Sequence, residues 1–234
     1  MSSIALHYDI GEVHNEMMEA AKIYENFNFT TENSTIVSLT AFQKNFYTQI
    51  DSSIANREFI DESTLSIDPR ILKSRIVETE KFLDTLKNKF VITEEEYTIL
   101  SEIKSLISEN CLEIISNEEF YSQILSIYQN TPNLENMKLA PSVLQLTIAS
   151  CEYWIDKGNL GTSGEKFQTL AIPAWVAADG AGALWAAAVS ALKQYNATGD
   201  VSLKKTATDA LIGAAASSLG LVSKIGRAIS NLFK

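Results

Sequence analysis

Residues 171–221 read AIPAWVAADGAGALWAAAVSALKQYNATGDVSLKKTATDALIGAAASSLGL. Ala, Gly and Ser dominate both halves of this stretch, and the polar break NATGD at residues 196–200 separates them. Small side chains on one helix face allow a second helix to approach closely. The pattern therefore predicts two small-faced helices, at residues 173–197 and 202–219, that fold back on each other as a hairpin.

The first two-thirds of the chain differ from the hairpin in charge and in glycine content. Residues 1–170 hold 26 Asp and Glu against 13 Lys and Arg, whereas residues 171–234 hold 3 Asp against 6 Lys and Arg. No Gly occurs from residue 12 to residue 157, although β-hairpins depend on Gly for positive φ. We therefore expect three parts: an acidic helical bundle (1–157), a Gly-rich linker (158–164), and the Ala/Gly-rich hairpin with a cationic amphipathic helix at 221–233 (165–234).

Helix-start signals predict an all-α, multi-helix bundle. TEEE at residues 93–96 and SNEE at residues 116–119 are capping boxes, and Asp9 with Glu12 is a third. Asp-Pro at 68–69 and Ala-Pro at 140–141 place proline in a first turn. Apolar residues also recur at helical spacing along the chain. We expect seven to nine helices and no sheet.

The composition and motifs argue against nucleic-acid binding, metal binding and catalysis. A net charge of −10 does not suit a phosphate backbone. A metal site near the N-terminus would have the ligands His7, Asp9, His14 and Glu16. Two His and two distant Cys are too few for a zinc site, so capping or interhelix hydrogen bonds explain His14 and Asn15 better. The carboxylate pairs lie in first turns or on charged faces, and no G-x-S-x-G motif is present. We expect no enzyme activity and no cofactor.

Two further expectations concern redox state and location. Cys111 and Cys151 lie in apolar helical segments, which predicts a reduced, buried pair. The N-terminal residues show no basic segment followed by an apolar run, so no conventional signal peptide is predicted. No window approaches the roughly 20 apolar residues of a spanning helix. The sequence predicts a protein that is cytoplasmic, or exported without a conventional signal peptide.

The hairpin supports two interpretations of function. Trp175, Trp185 and Tyr195 are spaced to anchor at a membrane interface, and Lys224 and Arg227 would attract anionic lipid. This pattern favours a membrane-active protein.

The alternative is a soluble helical interaction or structural protein, in which the hairpin is core or a homodimer interface. Asp179 favours this alternative, because a carboxylate inside a membrane is costly. The expected partner is therefore a membrane or a protein, including a second copy of the chain.

Two short motifs resemble a family. YDIGEVHN at residues 8–15 and WVAADGAGA at residues 175–183 are similar to the opening and the Ala/Gly-rich, bacteriocin-like tail of uncharacterised helical proteins of Bacteroidetes-type bacteria. The likeness covers about twenty residues, and the tail has more Ala and fewer Gly than the usual pattern. The resemblance implies a role in interbacterial antagonism, with Asp9, Gly11, His14, Asn15 and Asp179 as motif residues of structural importance. No catalytic residue carries over.

Overall fold

The computed structural model describes residues 9–22, 32–50, 69–112, 114–156 and 172–232, and within them the chain forms eight α-helices and no strand. This confirms the all-α, multi-helix prediction. The helices are α1 (Ile10–Lys22), α2 (Glu32–Ile50), α3 (Pro69–Asn88), α4 (Glu94–Cys111), α5 (Asn117–Asn130), α6 (Ala140–Cys151), α7 (Ile172–Thr198) and α8 (Leu203–Leu232). A 3₁₀ turn (Leu134–Asn136) precedes α6, and a π turn (Glu152–Asp156) follows it.

Five helices, α1, α3, α4, α5 and α6, begin at the start signals described above. The Thr93 hydroxyl accepts a hydrogen bond from the Glu96 backbone N–H at 3.1 Å, and Ser116 caps Glu119 at the same distance. The Asp9 carboxylate accepts bonds from two N–H groups of the first turn of α1. Each cap satisfies donors that a helix start otherwise leaves unpaired.

Glu96 departs from the capping-box prediction. Its side chain is buried and accepts hydrogen bonds from the backbone N–H groups of Leu139, at 2.6 Å, and Ala140, at 3.1 Å. A carboxylate is favourable at a helix N-terminus because it meets unpaired N–H groups and the positive end of the helix dipole. Glu96 therefore stabilises the start of α6 and fixes α4 against it.

The predicted hairpin is formed by α7 and α8. The turn between them contains Gly199, whose φ of +77° lies in the left-handed region that favours glycine. Gly182 and Gly213 meet where the two helices cross, and a Cβ on either would overlap the carbonyl group of the other. The residues predicted as a separate terminal helix, 221–233, instead continue α8 without a break to Leu232. Gly220 is followed by no proline, and a single glycine weakens a helix without ending it.

The central helix of the fold is α7. It packs against α3, α4, α6 and α8, and no side chain between Val176 and Ala191 is exposed. One hydrophobic cluster joins this helix to side chains of α1 and α3–α6, so the described parts of 1–157 and 165–234 share a core. The predicted linker, 158–164, lies outside the described residues.

The structure also bears on the thiols and on membrane spanning. Cys111 and Cys151 are both free, the first half-buried and the second buried. In the part of the chain that the structure describes, no helix combines the length and the apolar character needed to cross a bilayer.

The α7–α8 crossing leads to a stability prediction. Gly182→Ala places a methyl group against the α8 backbone, and we expect a loss of about 1–3 kcal/mol in the free energy of unfolding, as for other overpacked sites. Gly180→Ala is the matched control on the same helix. Its Cβ would meet only side-chain atoms, of Ile107 and Thr147, at 3.2–3.4 Å, so its stability should stay within about 1 kcal/mol of wild type. Urea denaturation measures both, and equal stability of the two variants would contradict the close crossing.

Candidate functional site

A buried carboxylate lies on the central helix. Asp179 of α7 is fully buried, and its Oδ2 accepts hydrogen bonds from the Ser150 hydroxyl at 2.7 Å and from the Trp154 indole N–H at 3.1 Å. The Nε2 atom of His14, also fully buried, lies 3.4 Å from the same oxygen. We call His14, Ser150, Trp154 and Asp179 the Asp179 centre. It joins α7, which carries Asp179, to three other helical segments. His14 lies on α1, Ser150 on α6 and Trp154 in the π turn that follows α6.

The N-terminal motif positions His14. Asp9 caps α1, and Gly11 lies so close to α6 that a Cβ on it would be 2.7 Å from the Cβ of Ala149. This close approach brings the next turn of α1 to the carboxylate. Asn15 then contacts the other ring nitrogen, with its Oδ1 3.0 Å from His14 Nδ1. The other three motif residues of this segment, Asp9, Gly11 and Asn15, therefore place the imidazole of His14.

The two sequence motifs meet in the structure. His14 comes from the segment 8–15 and Asp179 from the segment 175–183, which lie at opposite ends of the chain. Sequence reasoning singled out both residues but did not pair them. It missed Ser150 and Trp154, although their spacing of four residues would place them on one face of a helix and both carry donors that a buried carboxylate needs.

The electrostatics favour a charged pair. Burial lowers the pKa of His14, but the Asp179 carboxylate and the hydrogen bonds to Asp179 and Asn15 outweigh it, so the pKa lies above the usual 6.5. Both ring nitrogens face oxygen atoms, as an imidazolium with two N–H donors requires.

The neighbouring Cys151 and Tyr153 respond to the same environment. Burial, followed by the charges of Asp179 and Glu152, raises the pKa of the Cys151 thiol well above its usual range. Burial, Glu19 and Asp179 likewise raise the pKa of Tyr153. Both groups are therefore held neutral, and Cys151 lacks the thiolate character of a reactive cysteine.

The Asp179 centre is suited to structure rather than to catalysis. Its His and Asp side chains have no solvent exposure, and a general acid or base must reach a substrate proton. Within the described residues no three potential ligand side chains are grouped to hold a metal ion. His7, one of the ligands considered above, lies outside those residues. The arrangement connects α1 and α6 to α7.

Of the residues predicted to contact a membrane or partner, the structure describes the side chains of Trp185 and Tyr195. Trp185 and Tyr195 are half-buried, and the Tyr195 ring packs against the core with Lys89 Nζ 5.4 Å from its centroid. The side chains of Trp175, Lys224 and Arg227 lie outside what the structure describes.

A second buried polar network, which the sequence analysis missed, closes the hairpin. The Gln194 side-chain amide donates to Ser190 at 2.9 Å and to Thr206 at 3.1 Å, and its oxygen accepts from the Ser202 backbone N–H at 2.9 Å. Ser190 in turn donates to Asp209 at 2.5 Å. The network joins the end of α7 to the start of α8 and so fixes the hairpin register.

Comparison of the chain with protein-family models, with curated proteins and with solved structures finds no match.

Breaking the buried pair should destabilise the fold strongly. His14→Leu leaves the buried Asp179 side chain without the imidazole beside it, and removing one partner of a buried pair is strongly destabilising, so we expect a loss of about 3–5 kcal/mol in the free energy of unfolding. Glu16→Gln, on the exposed face of the same helix, should change stability by less than about 0.5 kcal/mol. Denaturant titration of both variants checks this, and similar stabilities would rule out an energetic role for the pair.

The pair also predicts a direction of pH dependence. Because the pKa of His14 is raised in the folded state, its stabilisation is complete below about pH 6.5 and is lost as the pH rises through the folded pKa. The difference in unfolding free energy between wild type and His14→Leu should therefore shrink from about pH 6 to about pH 9. Denaturation curves across this range measure it. A difference that does not shrink would show that folding does not raise the pKa of His14.

Proposed function

We propose that this chain is a non-catalytic helical protein-interaction protein whose Ala-rich hairpin is its permanent core. The observation that carries the proposal is the enclosure of α7, which has no exposed side chain from Val176 to Ala191 and is connected to α1 and α6 through the Asp179 centre. A helix that is apolar on every side is stable only when it is surrounded. Its surroundings here are the other helices of the same chain.

Release of the hairpin would be costly. It would separate Asp179 from its three partners, and breaking a buried charged pair costs several kcal/mol. It would also expose fully buried side chains packed in the same core, including Leu100, Ile103 and Ile107 of α4. Burial of each such side chain contributes about 1.5–3 kcal/mol, against a typical total stability of about 5–15 kcal/mol. An enclosed hairpin therefore supports a protein that works through its outer surface.

A membrane-active, bacteriocin-like protein, exported without a conventional signal peptide, is the second candidate. The observation that favours it is the contact of Gly182 with Gly213, because small-residue crossings of this kind are typical of helices that associate in bilayers. The resemblance of residues 175–183 to a bacteriocin-like tail agrees with it. In this candidate the surrounding helices store the hairpin until it meets a membrane. Insertion of α7 would then carry Asp179 into the bilayer, which is unfavourable.

Hydrogen exchange with and without anionic liposomes separates the two candidates. For the full-length protein we expect no flotation, and unchanged amide protection over residues 176–191, from about pH 5 to about pH 8. His14→Leu serves as the sensitive variant, because it weakens the attachment of the hairpin to α1. Flotation of the wild-type protein together with altered exchange in α7 would overturn the core proposal and favour the membrane-active candidate. Flotation of His14→Leu alone would show only that the attachment holds the hairpin in place.

A further inference from the structure

A groove runs along the outward face of α6. Its floor is formed by Pro141, Gln145, Ile148 and Glu152, which are spaced four, three and four residues apart and so share one helix face. Two cavities, of about 410 and 770 Å³, lie along it and adjoin at Tyr128 and Gln145, which line both. We call it the α6 groove. From residue 141 to residue 152 it is about 16 Å long, or three helical turns.

The walls come from three helices that pack on α6, namely α5, α1 and, through Leu203 and Ala207, α8. Side chains of α5, including Leu125 and Tyr128, form one wall, and Gly11 and Asn15 of α1 contribute to the other. Leu125 and Ile148 are only half-buried, and Tyr128 is 37% exposed. The groove therefore presents apolar surface between two helices, as grooves that bind amphipathic helices do.

One end of the α6 groove is strongly acidic. Its carboxylates are Asp9, Glu12, Glu16, Glu19 and Glu152, and the described lining residues of that cavity include no Lys or Arg. The other end carries one acidic and one basic residue, Glu135 and Lys138. The charge is therefore concentrated on the α1 side of an apolar floor. An anionic partner such as nucleic acid or anionic lipid would be repelled there.

We propose that the α6 groove docks a cationic amphipathic helix of a partner protein, about three turns long. The partner's apolar stripe would lie on Leu125, Tyr128 and Ile148, and its Lys and Arg side chains would meet the carboxylates of α1. Charge complementarity of this kind sets specificity and association rate. The inference rests on the proposed function, because a protein whose hairpin is core must bind through its outer surface.

A second copy of this chain is the main competing occupant. Residues 221–232 are themselves cationic and amphipathic, with Lys224 and Arg227 and no acidic residue. They continue α8, however, whose residues Ala210 to Ser217 are buried in the core of their own chain. A helix supplied by another protein has no such attachment and fits the groove more readily.

The test is peptide binding to the full-length protein, measured by fluorescence anisotropy. The probe is a labelled 14-residue Leu/Lys peptide with Leu at helical spacing and Lys on the opposite face, and a scrambled peptide of the same composition is its control. Binding of the amphipathic peptide should weaken about tenfold or more in Glu12→Lys/Glu16→Lys. The matched control is Glu95→Lys/Glu102→Lys, which changes net charge equally at exposed positions of α4 outside the groove. It should stay within about twofold of wild type.

A second pair of variants tests the floor. Ile148→Ser should weaken the amphipathic peptide severalfold, whereas Val77→Ser, at an exposed apolar position of α3, should leave binding unchanged. Thermal denaturation confirms that each variant is folded before binding is compared.

Three outcomes would overturn the proposal. The first is that the amphipathic peptide does not bind. The second is that Glu12→Lys/Glu16→Lys and the control Glu95→Lys/Glu102→Lys weaken its binding equally, which would indicate non-specific attraction. The third is tighter binding of a peptide of residues 218–234, together with self-association of the full chain that the groove reversals abolish. That result would make a second copy the occupant. None of these outcomes alters the liposome experiment, so a failure of the groove proposal is distinguishable from a failure of the core proposal.

Discussion

The fold depends on one buried carboxylate. Asp179 lies in the first third of α7, within the otherwise apolar stretch 172–189, and a buried carboxylate there is tolerated only when polar partners surround it. Ser150, Trp154 and His14 supply them from α6, the turn that follows it, and α1. Apolar packing alone is non-directional and would leave the rotation of an Ala-rich helix weakly determined. Two hydrogen bonds and the His14 contact, which converge on one oxygen, fix both the rotation and the height of α7.

Glycine and alanine make the Asp179 centre geometrically possible. Gly11 brings α1 against Ala149 of α6, and Gly182 brings α7 against Gly213 of α8. The Gly11 contact holds α1 close to α6, so His14 of α1 and Ser150 of α6 both reach the Asp179 carboxylate. A larger side chain at Gly11 would move His14 away from the carboxylate, whereas the Gly182–Gly213 contact sets the spacing of α7 and α8.

Local features of the fold were predictable from the sequence, and long-range ones were not. The starts of three helices are predictable from Thr93, Ser116 and Pro69, because caps and first-turn prolines act within four residues. Glu96 shows the limit of such signals. Its position fits a capping box, but its carboxylate binds the N-terminus of α6, some forty residues away. His14 and Asp179 were each recognisable as unusual, yet their pairing depends on how α1, α6 and α7 pack. No spacing rule encodes that arrangement.

The direction of the pKa shift of His14 determines how its contact with the hairpin responds to pH. Protonation of His14 strengthens its attraction to Asp179, so acidification does not release α1 from α7 through this residue. An acid-triggered membrane protein would need the opposite response at the contact that holds its hairpin. The surface charge acts in the same direction, because the carboxylates of α1 and Glu152 lie on the outside of the fold and repel anionic lipid. Both effects favour a hairpin that stays enclosed.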